Sequence, residues 1–155
     1  LLVKLTGVNM SEANINIKCQ LFWPNLTHKN ELANKYTVDL ALLSDEAVTA
    51  LEDMGVNVNN KGDDRGYYIT CKSKNKYRAF NPDGSELMIK GRTPTSEDDD
   101  PEMGVVVANG SEAKCLVTYY DWEYMKKKGR SPSLRRMVIS NVVEYAPDFD
   151  LEEAV

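Results

Sequence analysis

Basic and aromatic side chains interleave in two blocks of this sequence. The first holds Lys72, Lys74, Lys76, Tyr77, Arg78 and Phe80. The second holds Lys114, Tyr119, Tyr120, Trp122, Arg130, Arg135 and Arg136. These residue types meet the two demands of a single-stranded nucleic acid: Lys and Arg pair with phosphates, and flat rings stack on unpaired bases. Nine of the 13 aromatic residues fall between Tyr67 and Tyr145, which concentrates the rings where the cations are. Ordinary β-strands also carry Tyr and Lys, so composition alone leaves a plain structural reading open beside the binding one.

Catalysis finds less support. The single histidine, His28, lies in a polar stretch beside Lys29, with no Ser or Cys in an elbow motif to serve. The nine glycines are scattered turn residues and form no phosphate loop. The acidic run Glu97-Asp98-Asp99-Asp100-Pro101-Glu102 has the charge to attract a divalent cation but lacks the glycine and spaced Glu of a calcium loop. It reads as a solvated loop. Cys19, Cys71 and Cys115 are odd in number and dispersed, so they make neither a disulfide framework nor a zinc set. They read as reduced, buried thiols of a cytosolic protein. The expectation is a binding module, not an enzyme, with no cofactor and no metal.

The elements that must position the two blocks follow from periodicity. Ile15, Ile17, Cys19, Leu21 and Trp23 alternate as a strand that is expected to stop at Pro24, with Trp23 in the core or as a lid. Residues 36–42 read as a second strand. Ser44-Asp45-Glu46 is a helix start, with a capping hydroxyl and two acids in the first turn. Ala47, Val48, Leu51 and Met54 share one face, and Gly55 ends the helix. In residues 67–73, Tyr67, Ile69 and Cys71 are expected to face inward, with Tyr68, Thr70 and Lys72 outward. Residues 76–80 are extended and lead to the turn Asn81-Pro82-Asp83-Gly84. Residues 105–107 are a short buried strand, and Asn109-Gly110 turns the chain into a long strand over 112–120. Residues 121–132, with Lys126-Lys127-Lys128, read as a polar connection to a final strand over 134–145. Five or six strands and one helix in one domain make a small β-barrel the natural architecture.

Length and charge are consistent with this. The 155 residues and 17.5 kDa fit one domain, and 42% hydrophobic residues suffice for a packed core. The formal charge of −5 excludes a histone-like protein but conceals strong segregation. Residues 61–92 carry 8 basic and 4 acidic groups, and residues 114–136 carry 7 and 2. Residues 93–113 carry no basic group and 6 acids, and residues 144–155 none and 5. No run of about 18 apolar residues marks a membrane span, and Leu1-Leu2-Val3-Lys4 does not open a signal peptide. With no Met at the start, a chain trimmed from a longer one is expected.

The order of these segments resembles a known family. Residues 36–40, 67–74, the turn Phe80-Asn81-Pro82-Asp83-Gly84, Asn109-Gly110-Ser111 leading into a Lys-bearing strand, and Tyr119-Tyr120-Asp121-Trp122 follow one another before a last strand and an acidic tail. Over residues 15–145 this is similar to the single-stranded DNA-binding proteins of tailed phages, the podovirus type. The resemblance implies a mainly β, OB-fold-like five-stranded small barrel with one short helix at about 44–54 and long loops. It implies one OB-fold domain over 1–145 and an acidic tail over 146–155 that meets the phage polymerase and helicase. It also implies sequence-tolerant single-stranded DNA binding in phage replication, recombination and repair, in the cytoplasm of the infected bacterial host. Family tails are often longer and end in an aromatic residue, whereas here four acids, Asp148, Asp150, Glu152 and Glu153, precede Val155. The oligomeric state stays open, a homodimer included.

Taken with strand alternation, this places the site on the outer strand faces. Tyr68, Tyr77, Tyr120 and Trp122 are expected to stack bases. Lys72, Lys74, Arg78, Lys114 and Arg136 are expected to take phosphates, with Lys76 and Arg130 extending the surface. About five phosphate contacts would give a salt slope of roughly −3.5. An RNA-binding barrel, a β-barrel that binds a protein partner, and a metal-dependent nuclease using the acidic run are the competing readings.

Overall fold

In the computed structural model of the chain, residues 14–30, 34–89 and 105–143 are described. The acidic run and the tail over 146–155 lie outside them. The described strands are β1 (Ile15–Asn30), β2 (Lys35–Ala41), β3 (Ile69–Ser73), β4 (Ala79–Phe80), β5 (Glu86–Leu87), β6 (Ser111–Tyr124) and β7 (Lys127–Asn141). One helix, α1 (Asp45–Asp53), lies between β2 and β3. The strands form one sheet in the order β3-β2-β1-β6-β7-β4-β5, antiparallel except for the β4–β7 pair. The sheet curls until β3 lies against β7, giving a mainly β, OB-fold-like small barrel.

Alternation produces that curl, because one face of each strand is apolar. Ile17, Cys19 and Leu21 of β1, Val38 and Leu40 of β2, and Ile69 and Cys71 of β3 face the interior. Ala113, Cys115 and Val117 of β6 meet Met137 and Ile139 of β7 there. Burying each large aliphatic side chain is worth about 1.5–3 kcal/mol, so strand register is firmly specified. The helix begins as its sequence predicts: the Ser44 hydroxyl accepts from the Ala47 N–H at 3.1 Å. Ala47 and Leu51 pack onto the core, and Gly55 follows at φ +87°.

Several strand assignments differ from expectation: residues 105–107, expected as a short buried strand, form none, Val105 making only an isolated bridge with Ile89. β1 does not stop at Pro24. A register irregularity between Phe22 and Asn25 absorbs the proline, which has no N–H for the ladder, and the strand resumes to Asn30. Trp23 sits in this bulge at φ +51°, its N–H donating to Asn109 Oδ1 at 2.6 Å. It is 56% exposed, not part of the core. A further difference is residues 121–132, expected as a connection, which are strand. β6 and β7 pair continuously to Tyr124 and Lys127 around a two-residue tip, Met125 (φ +49°) and Lys126 (φ +69°). Two positive φ values match the right-handed twist of a tight hairpin. The last strand accordingly ends at Asn141.

Candidate nucleic-acid interface

Among the described residues, the outer face of the barrel is covered in one sector and bare in another. Over β2 and β3 it is covered by residues 57–68. Arg65 reaches Asp39 at 2.9 Å, and the Thr70 hydroxyl donates to the same carboxylate at 2.6 Å. Asn59 and Tyr68 bridge as an antiparallel pair. The Arg65 guanidinium lies 3.9 Å from the Tyr68 ring centroid. Tyr68 was expected to be an outward stacking ring. Alternation places it on the outer side, but the covering segment leaves it 3% exposed, with no ring face for a base. Its neighbour Tyr67, expected inside, is the exposed one.

Over β6 and β7 no described residue covers the outer face. Lys114, Leu116, Thr118, Tyr120, Trp122 and Tyr124 alternate outward along β6. Tyr120, Trp122 and Tyr124 are 44%, 40% and 68% exposed and form an aromatic row on the projecting ribbon. Trp122 pairs directly with Gly129, and its indole lies across that glycine. A Cβ at Gly129 would fall 2.3 Å from the ring. The indole N–H donates to Ser131 Oγ at 3.0 Å. One face of the ring is therefore pressed on backbone and the other is presented to solvent, the posture of a stacking platform. Tyr124 was missed in the sequence because the ribbon was read as a loop; its place two residues beyond Trp122 was the available signal.

Arg130 belongs to the other face of the ribbon. It donates to Asp121 Oδ1 at 2.6 Å and Oδ2 at 3.2 Å, and to the Met54 carbonyl at 2.7 Å. It also stacks 3.9 Å from the Tyr119 centroid. Expected as part of the binding surface, it is instead a strut between the ribbon and the end of α1. This engagement holds the Asp121 carboxyl below the usual carboxylate range.

A second feature adjoins the bare face. Lys76, Tyr77, Arg78, Phe80, Leu134, Arg135 and Arg136 line a cleft of about 360 Å³ between residues 73–80 and β7. The Arg136 guanidinium lies 4.5 Å from the Phe80 centroid and that of Arg78 lies 5.6 Å from it. Arg78 pairs with Glu86 at 2.8 Å, which raises its pKa and lowers that of Glu86. Tyr77 is half-buried against the core, and burial pushes its hydroxyl up. It lines the cleft with part of its surface exposed. Lys72 and Lys74 are exposed at the β3 end of the same region. The structure thus brings Lys76, Arg78 and Arg136 together, joined by Arg135 and Phe80. Lys114, Tyr120 and Trp122 lie on the adjoining bare face.

A curled, mainly β small barrel with one short helix defines a class by its architecture: the OB-fold-like barrels. The single-stranded DNA-binding protein from bacteriophage Enc34 is similar over 91% of this chain and 90% of its own, with a TM-score of 0.57 at 10% identity. The same phage protein in complex with single-stranded DNA is similar over 88% of this chain and 90% of its own, with a TM-score of 0.58 at 11% identity. The single-stranded DNA-binding protein gp2.5 of bacteriophage T7 aligns over 92% of this chain and 94% of its own, with a TM-score of 0.49 at 11% identity. The two likenesses to the Enc34 protein establish a shared fold. No protein-family model matches the chain, and no curated protein matches it by sequence.

Proposed function

We propose that this chain is a phage single-stranded DNA-binding protein that holds unpaired strands with little regard to sequence during genome replication, recombination and repair. The observation that carries the reading is the Trp122 ring, laid flat on Gly129 between Tyr120 and Tyr124, beside a cleft holding Lys76, Arg78, Arg135 and Arg136. The ring row supplies stacking at about 1–3 kcal/mol per base, and the cations supply sequence-independent phosphate contacts. The phage protein that shares the fold and is known in complex with single-stranded DNA supports the same reading.

Lys114 and Arg136 lie along the strand path, with Lys72 and Lys74 at its margin. Tyr68 and Arg130 serve the fold. The acidic tail over 146–155 is the segment for contact with the replication polymerase and helicase, and the site of action is the cytoplasm of the infected host. The role is binding and not catalysis.

The test is titration of a labelled oligothymidine of about 30 nucleotides at two salt concentrations, with duplex DNA as competitor. Tight, salt-weakened binding that duplex does not displace is expected. A folded protein that fails to bind at low salt would overturn the reading, and a marked preference for oligouridine would redirect it to RNA.

A further inference from the structure

Lys18 of β1 and Lys114 of β6 are register partners, both exposed on the bare outer face. Like charges placed directly opposite across an antiparallel pair destabilise the sheet. Neither ammonium has an ion pair among the described residues, although Glu112 is close along the same face. The two lysines line a groove of about 440 Å³ with Gln20, Leu42, Glu112 and Ser140. Two ammoniums, an amide, a hydroxyl and one carboxylate, that of Glu112, therefore line the same space, which leaves it one positive charge in excess.

The groove is also in line with the cleft. Lys18 pairs with Lys114, Lys114 with Val138, and Val138 with Phe80, which carries Arg136 over its ring. This row crosses β1, β6, β7 and β4, three inter-strand spacings or about 14 Å. We infer that the groove at Lys18 and Lys114 binds a phosphate of the same single strand held at the cleft, so that the strand crosses the sheet and Lys18 is a contact residue. The inference rests on the single-strand-binding reading. A like-charge pair that costs the fold stability is compensated when an anion lies between its members.

Three single variants test it: Lys18→Gln, Lys114→Gln and, as a control, Lys61→Gln. Lys61 is exposed on the segment that covers β2, off the row. Each lost phosphate contact reduces the slope of log K against log salt by about 0.7, so the affinity lost between 50 and 200 mM salt shrinks about 2.6-fold per contact. Lys18→Gln and Lys114→Gln are each expected to do this, with an unfolding midpoint at or above that of the parent. Lys61→Gln is expected to leave the slope unchanged. Oligothymidine should also protect Lys18 and Lys114, but not Lys61, from amine acetylation.

A Lys18→Gln slope equal to the parent's, or equal to that of Lys61→Gln, would overturn the inference. So would protection of Lys18 by polyglutamate and not by oligothymidine, which would reassign the groove to an acidic protein segment. If the parent protein itself fails to bind oligothymidine, the underlying reading falls first. If it binds, and Arg136→Gln lowers the slope while Lys18→Gln does not, the groove alone is lost.

Discussion

Gly129→Ala separates the posture of Trp122 from its mere presence. The glycine has no positive φ, so its backbone accepts alanine without strain. The obstacle is the indole, because the new Cβ would lie 2.3 Å from Cζ2, 2.5 Å from Cε2 and 2.9 Å from Nε1. Restoring a carbon–carbon contact of about 3.5 Å requires the ring to lift or swing by about 1.2 Å. That movement breaks the 3.0 Å bond to Ser131 and removes the backbone support of one ring face. The ribbon is exposed and alanine is the better strand former, so the unfolding midpoint should hardly move. If Trp122 contributes one stacked base, the loss is at most about 1–3 kcal/mol, or roughly 5- to 150-fold in Kd. The assay is oligothymidine quenching of indole fluorescence in a Trp23→Phe background, where Trp122 is the remaining tryptophan. Both the amplitude of quenching and the affinity should fall. The double variant Gly129→Ala, Trp122→Ala should bind no more weakly than Trp122→Ala alone, because the two changes remove one contact. Parent affinity in Gly129→Ala, with a shifted indole N–H resonance proving that the ring has moved, would refute the claim that this ring stacks on DNA.

Other parts of the structure respond differently. Asp39→Ala strips Arg65 and Thr70 of their buried carboxylate and should cost about 2–3 kcal/mol, less than a fully buried pair because Arg65 keeps Asp63; an unchanged thermal midpoint would contradict this. Cys71 is wholly buried, Cys19 and Cys115 approach at 3.7 Å, and burial pushes the Cys71 thiol up. The native protein should therefore resist an aromatic disulfide reagent at pH 8 and release three thiols only when denatured. One rapidly reacting equivalent in the native state would refute that. Asp121 has a folded pKa depressed by Arg130, so its contribution is full above the ordinary carboxylate value of 3.8 and is lost as pH falls through the lower folded value. Its carboxyl carbon resonance should titrate with a midpoint below 3.8; a midpoint at or above that ordinary value would show the strut absent.

Much of the barrel was legible because alternation and capping are local signals. Ser44 bonding Ala47, and Cys115 and Val117 facing inward, follow from period and residue type alone. The misplaced ribbon has a definite cause. Residues 121–131 contain no buried side chain, since both faces of the hairpin are wet beyond the barrel, and a strand without an apolar face leaves no period-2 hydrophobic signal. Its only local marker was the tip, Met125-Lys126, which takes positive φ without Gly or Asn. The burial of Tyr68 was illegible for a different reason. Alternation decides which side of a sheet a ring occupies, but whether another segment covers that side is a tertiary fact, set here by Arg65 meeting an aspartate 26 positions earlier.

The same distinction decides which cations are free to bind. Arg130 and Arg136 look equivalent in the sequence, both among basic residues near aromatics. In the structure Arg130 spends three N–H donors on Asp121 and Met54, while Arg136 lies over Phe80 and lines the cleft. A guanidinium on a ring keeps its in-plane donors available, and one forked onto a carboxylate does not. Counting charges therefore overstates the proposed phosphate track at Arg130. On the same proposal it understates it at Lys18, which lies in the acidic first third of the chain and joins the basic surface only through its pairing with Lys114. The net charge of −5 and a cationic face coexist because strand register brings basic residues together across the sheet while the acids cluster in separate stretches of the chain.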